Sequence, residues 1–124
     1  MMLDWNDYRK QLAAGVKEIG QLSPDTIKGY VALSAAGQKT DLLGAKVREL
    51  IALAVAVTLR CDGCITVHTE AAIKHGATKE EIAEALGVAT TVNAGAALVY
   101  SARVIDAFNE HPGAAAAREP RQSA

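Results

Sequence analysis

The chain carries its only two thiols as Cys61-Asp62-Gly63-Cys64, with His68 four residues beyond the second. A thiolate, not a thiol, is the reactive form of cysteine, and a nearby imidazole can take the proton or stabilise the anion. On a helix, residues three apart are neighbours with Cβ atoms about 5–6 Å apart, so a small adjustment brings Cys61 and Cys64 to the roughly 3.5–4.5 Å of a disulfide. With Cys61 at the first turn, both sulfurs lie near the positive end of the helix dipole, which favours a thiolate. Cys64 and His68 stand at i and i+4, one turn apart on one face, so Cys64 is the expected attacking thiol. It would attack a peroxide oxygen and become a sulfenic acid, which Cys61 would resolve into a disulfide for a reductant to reopen.

A histidine that moves protons needs an orienting partner, and Glu49 is the candidate. A carboxylate in a helix this apolar is costly unless it is paired or lies at a rim, so Glu49 has either a functional neighbour or an ordinary one: Arg48, Lys46 or solvent. Three other uses of the same residues compete. Cys61, Cys64 and His68 with Glu49 have the ligand types of a metal site, but no second CxxC or HxxxH supplies the usual separated pair. Haem attachment needs histidine directly after the second cysteine, where Ile65 stands. A thioredoxin-like enzyme needs a βαβ setting. The plainest alternative is two buried cysteines packing as small apolar residues. No cofactor and no metal are assigned.

The elements that must position these residues read as helices almost throughout. Trp5, Tyr8, Leu12, Val16 and Ile19 recur at three- and four-residue steps, predicting an amphipathic helix that Gly20 ends. Ser23-Pro24 is a cap followed by proline at the first helical position, starting a second helix that ends near Gly37. Gln38 to Asp41 reads as a loop. The run from Ala45 to Arg60 predicts a central helix, with roughly ten uninterrupted apolar residues where a membrane span needs about twenty. A fourth helix is expected from about Cys61 to His75, with Gly76 as its C-cap. Thr78 and Glu81 have capping-box spacing for a fifth, with Ile82, Leu86, Val88 and Ala89 facing inward. Asn93-Ala94-Gly95 is expected to break it, leaving Ala97 to Phe108 as a sixth. Residues 1–111 read as one domain, and 112–124 as a disordered tail without an apolar face. His75 reads as a helix C-terminal residue, and His111 receives no role. Tyr30 and Tyr100 read as core or interface.

Composition narrows the class. The 124 residues are 50% hydrophobic but 4% aromatic, and their many alanines favour closely packed helices over a β-sandwich. Thirteen Lys and Arg against 14 Asp and Glu leave no charge excess, so nucleic acid and an anionic membrane surface are not expected partners. Two acids within Met1-Met2-Leu3-Asp4-Trp5-Asn6-Asp7 disfavour a signal peptide, and the expected location is the cytoplasm. In that reducing compartment a CxxC pair is catalytic or metal-binding more often than a staple.

Three segments together, Lys46-Val47-Arg48-Glu49-Leu50-Ile51-Ala52-Leu53-Ala54-Val55, Cys61 to His68, and Gly76-Ala77-Thr78-Lys79-Glu80-Glu81-Ile82, resemble the carboxymuconolactone decarboxylase superfamily. Within it the chain is most similar to the alkylhydroperoxidase AhpD-like branch, over roughly residues 40 to 110. The resemblance implies an all-α, AhpD-like antiparallel bundle of about six helices that assembles into trimers or hexamers. It also implies a thiol peroxidase site with Cys64 peroxidatic, Cys61 resolving, and Glu49 with His68 as the proton relay. The implied partners are a hydroperoxide and a thiol or dithiol reductant, for example a lipoyl or thioredoxin-like protein. Two departures stand: AhpD proper is longer, and it carries histidine where this chain has Gly63. The alternative is a decarboxylase-like, non-redox enzyme or binding protein on the same fold.

Overall fold

A computed structural model describes residues 2–117 of the chain, and among these there are only helices, turns and loops. The helices are α1 Trp5–Leu22, α2 Pro24–Thr40, α3 Ala45–Leu59, α4 Asp62–Lys74, α5 Lys79–Glu110 and the short α6 Ala114–Ala117. The fold is all-α, as expected. Close contacts group the chain into two units, Met1–Ala89 and Thr90–Ala124, where the sequence reading treats residues 1–111 as one domain.

In the first unit the main packing is α3 on α4, with α1 lying against α2 and α4. Leu53 and Ala56 of α3 are buried, as are Thr66 and Ala72 of α4. Ala56, Thr66 and Ala72 are small enough to let the two helices pack closely, which is what brings side chains on their facing sides within hydrogen-bond reach. Only Arg60 and Cys61 separate α3 from α4. Arg60 adopts the left-handed conformation, φ 54°, and the Cys61 N–H donates to Ala56 O at 3.0 Å. This is a Schellman-type stop built without glycine.

Three expected boundaries are corrected. Gly20 does not end α1, which runs to Leu22; a Cβ on Gly20 would stand 3.2 Å from Ile27 Cγ1, so its missing side chain admits α2. The stop comes from Ser23, held at φ −142° and ψ 77° before Pro24, since a residue preceding proline is driven out of the helical region. Gln38 to Thr40 are helical, and the reversal comes at Asp41, with φ 45°. Asn93-Ala94-Gly95 does not break α5, which is continuous over 32 residues. Without a proline, one Asn and one Gly among alanines cost about 1 kcal/mol or less each, too little to stop a long helix. The segment expected as a sixth helix is therefore part of α5.

Other expectations hold. Gly76 follows α4 with φ 83°. Thr78 and Glu81 form a reciprocal capping box, the Glu81 N–H donating to Thr78 Oγ1 at 3.0 Å and the Thr78 N–H to Glu81 Oε1 at 2.9 Å. Ile82 and Leu86 are half-buried and Ala89 buried, but Val88 lies off that face and is exposed. In the second unit, α5 beyond Thr90 presents Val92, Leu98, Val99, Tyr100, Val104 and Ile105 to the outside, and Ala114 of α6 is buried. Tyr30 and Tyr100 are exposed rather than core. Of the tail expected to be disordered, Ala114–Ala117 forms a helical turn, and 118–124 lie outside the described residues.

Candidate active site

Cys61 occupies the junction of α3 and α4 and serves both. Its backbone N–H closes α3, and its side chain is the N-cap of α4, with Sγ accepting a hydrogen bond from the Cys64 N–H at 3.2 Å. The first intrahelical bond of α4, from the Ile65 N–H to Cys61 O at 2.9 Å, completes the turn. Cys61 and Cys64 are joined by a disulfide, their Cα atoms 5.3 Å apart. Both residues are part-buried, at the end of the helix where N–H groups favour negative charge.

His68 lies one turn beyond Cys64 on α4. Its Nδ1 is 2.7 Å from Glu49 Oε2 of α3, with the imidazole 30% and the carboxylate 21% exposed. Nineteen residues separate the pair, and the α3–α4 reversal brings them face to face. With the Nδ1–H donated to Glu49, the neutral ring presents Nε2 as its acceptor. The ordinary neighbours considered for Glu49 are engaged elsewhere: Lys46 pairs with Glu81 at 2.8 Å and Arg48 with Asp41 at 2.8 Å. Glu49 of α3 and His68 of α4 are thus brought together, His68 on the helix whose N-cap is Cys61 and whose first turn holds Cys64.

The remaining candidates fall away from this point. His75 is the exposed C-cap of α4, its N–H donating to Ala71 O at 3.0 Å, and His111 accepts from its local neighbour, the Gly113 N–H, at 2.9 Å. Among the described residues no group of three or more His, Cys, Asp and Glu is arranged to hold a metal ion. A groove of about 520 Å³ between α1 and α4 is lined by Trp5, Arg9, Ile65, Thr69 and Ile73 among others. Its lining includes neither cysteine nor His68.

Sequence reasoning missed two features. The Cys61 sulfur as N-cap was open to inference, since the residue before a helix's first turn commonly accepts an N–H bond. The approach of α1 to Gly63 had no local signal. A Cβ on Gly63 would stand 3.0 Å from Leu12 Cδ2, a contact fixed by packing alone.

Helical fold and site together define an all-α protein with a disulfide at a helix N-terminus beside a Glu–His pair. The profile of the carboxymuconolactone decarboxylase family matches residues 24–107. The chain is 45% identical over 109 residues to an uncharacterized protein of Haemophilus influenzae, spanning 88% of this chain and 96% of that one. It is 32% identical over 102 residues to the protein named "Uncharacterized protein 4 in cox locus" of Paracoccus denitrificans, covering 82% and 92% respectively. The crystal structure of a carboxymuconolactone decarboxylase family protein from Legionella pneumophila superposes with a TM-score of 0.68 at 34% identity, covering 86% of this chain and 95% of that one. The chain belongs to the carboxymuconolactone decarboxylase family.

Proposed function

We propose that the protein is a thiol-dependent peroxidase of the AhpD-like type, reducing hydroperoxides through Cys61 and Cys64. The observation that carries this reading is the 2.7 Å contact between His68 and Glu49, one turn from a disulfide whose first sulfur caps the same helix. A histidine held by a carboxylate, four residues from one of two paired thiols, is arranged for moving a proton to and from sulfur.

In the cycle, His68 Nε2 takes the Cys64 proton and the thiolate attacks one peroxide oxygen. The O–O bond breaks, the alkoxide leaves as an alcohol with the proton from His68, and Cys64 becomes a sulfenic acid. Cys61 then attacks the Cys64 sulfur. The S–O bond breaks, hydroxide departs as water with the Cys61 proton, and the disulfide forms. A thiol or dithiol, such as a lipoyl or thioredoxin-like protein, reduces it and is itself oxidised. The test is hydroperoxide consumption by the full chain with a dithiol reductant. Cys64→Ser should abolish turnover, and undiminished turnover in that variant would sink the proposal. A non-redox, decarboxylase-like activity on the same fold would instead survive Cys61→Ser/Cys64→Ser.

We further propose that the chain works in the cytoplasm as a homo-oligomer, a trimer or hexamer, in which second copies cover α5. That helix is long and apolar enough to cross a membrane by length and composition, and only 6% of its apolar window is buried within the chain. Thr90, Thr91, Asn93 and Ser101 interrupt the apolar surface. Alanines and glycines between them suit close helix contact with another protein chain better than lipid.

A further inference from the structure

α1 reaches the redox turn through one side chain. Gly63 stands immediately before Cys64, and a Cβ on it would lie 3.0 Å from Leu12 Cδ2 and 3.6 Å from Cδ1. Leu12 therefore packs on the Gly63 backbone, and a Cβ there would force its methyl group to give by a few tenths of an ångström. Successive helical residues project about 100° apart, so Gly63 faces away from the sulfurs and Leu12 braces the flank of the turn while leaving the reactive face open.

The first turn of a helix holds the fewest internal hydrogen bonds and frays first. Here it is defined by the Cys64 N–H on Cys61 Sγ at 3.2 Å and the Ile65 N–H on Cys61 O at 2.9 Å. In the disulfide state a covalent bridge also holds it. Once that bridge opens, the two hydrogen bonds and the packing on Gly63 remain. The nearby α1–α4 ion pair, Arg9 with Glu70 at 2.7 Å, has side chains 36% and 60% exposed. Such a surface pair contributes only about 0–1 kcal/mol.

We propose that Leu12 is a positioning residue for the redox cycle. It keeps the first turn of α4 wound in the dithiol state, so that the Cys64 N–H stays on the Cys61 sulfur and Cys64 stays one turn from His68. This rests on the reading of Cys61 and Cys64 as a cycling pair. Leu12 is only half-buried and α1 contains no buried residue, so truncating the side chain removes the brace without emptying a core.

The experiment is amide exchange of the full chain in both redox states, together with its disulfide equilibrium against dithiothreitol. Leu12→Ala should speed exchange at Cys64 and Ile65 about tenfold in the dithiol form and less than about twofold in the disulfide form. It should also shift the equilibrium towards the dithiol, by up to about tenfold, because the contact is made only on a wound turn, which the disulfide holds throughout and the dithiol only part of the time. Leu12→Met should restore both readings, and Gly63→Val, which wedges α1 away, should reproduce the Leu12→Ala behaviour. Equal acceleration in the two redox states, or a shift of the equilibrium towards the disulfide, would make Leu12 an ordinary packing contact and overturn the proposal. A pair that dithiothreitol cannot open would sink this proposal and the redox reading together. A pair that opens and responds as expected without consuming hydroperoxide would support the brace and remove only the peroxidase assignment.

Discussion

At the residue scale, the decisive fact about Glu49 is where its neighbours go. Lys46 is held by Glu81 and Arg48 by Asp41, so Glu49 is left to His68, and the carboxylate engages Nδ1. On the proposed cycle, removing the anchor should act on proton transfer rather than on folding. Glu49→Gln is expected to lower hydroperoxide kcat/KM about ten- to a hundredfold, and His68→Ala about a hundred- to a thousandfold, within the usual range for a lost acid–base group. Steady-state peroxide consumption with a dithiol measures both, and far-UV circular dichroism should be unchanged. Arg60 matters for a different reason. A non-glycine residue at φ 54° carries about 1–2 kcal/mol of strain, while glycine loses about 0.4–1 kcal/mol more backbone entropy on folding. The first effect is the larger, so Arg60→Gly should raise stability by up to about 1 kcal/mol, read from denaturant unfolding.

At the element scale, the start of α5 is set by the Thr78–Glu81 capping box and tied to α3 by Lys46. Thr78→Ala removes the Oγ1 acceptor and should cost about 1 kcal/mol, visible as a lower unfolding midpoint. The Lys46 ammonium, and then the Thr78 N–H, hold the Glu81 carboxyl below its ordinary range. A carboxylate with a lowered folded-state pKa stabilises the fold above its unfolded value and loses that effect as pH falls through the folded one. The difference in melting temperature between the protein and Glu81→Gln should accordingly persist at neutral pH and shrink on acidification below about pH 4. These caps were legible from residue types and spacing, because capping is a local bond between near neighbours. The run of α5 through Asn93-Ala94-Gly95 was not, because weak breakers are outweighed by the helix on either side.

At the scale of the whole molecule, the chain leaves more apolar surface uncovered than a lone soluble domain usually shows. Leu98 is 76% exposed and Val99 75%, on a helix with an uncharged stretch from residue 85 to 102. Scattered apolar residues need no partner, but so many along one helix fit the proposed cover by second copies. The proposed assembly predicts a mass in solution of three or six chains by light scattering, and Leu98→Glu should dissociate it. A monomer that partitions into lipid vesicles would favour membrane contact through α5 instead. The α3–α4 packing that joins Glu49 to His68 lies within the first unit, so this pair should survive dissociation.

From residue types and intervals alone came the all-helical class, the start of α2 at Pro24, the caps at Gly76 and Thr78, and the CxxC with its histidine one turn on. All of these depend on contacts within a turn or two of chain, where spacing dictates which groups can meet. Which partner Glu49 takes was different: by spacing it could as well have served Lys46, Arg48 or solvent. Only the turn at Arg60 and Cys61, which folds α4 back on α3, decided for His68. Leu12 on Gly63 had no trace in the sequence, because its partner lies some fifty residues away and the contact depends on a side chain that is missing. Local chemistry is written in neighbouring residues; the partners of a carboxylate or a bare backbone are chosen by which helices pack together.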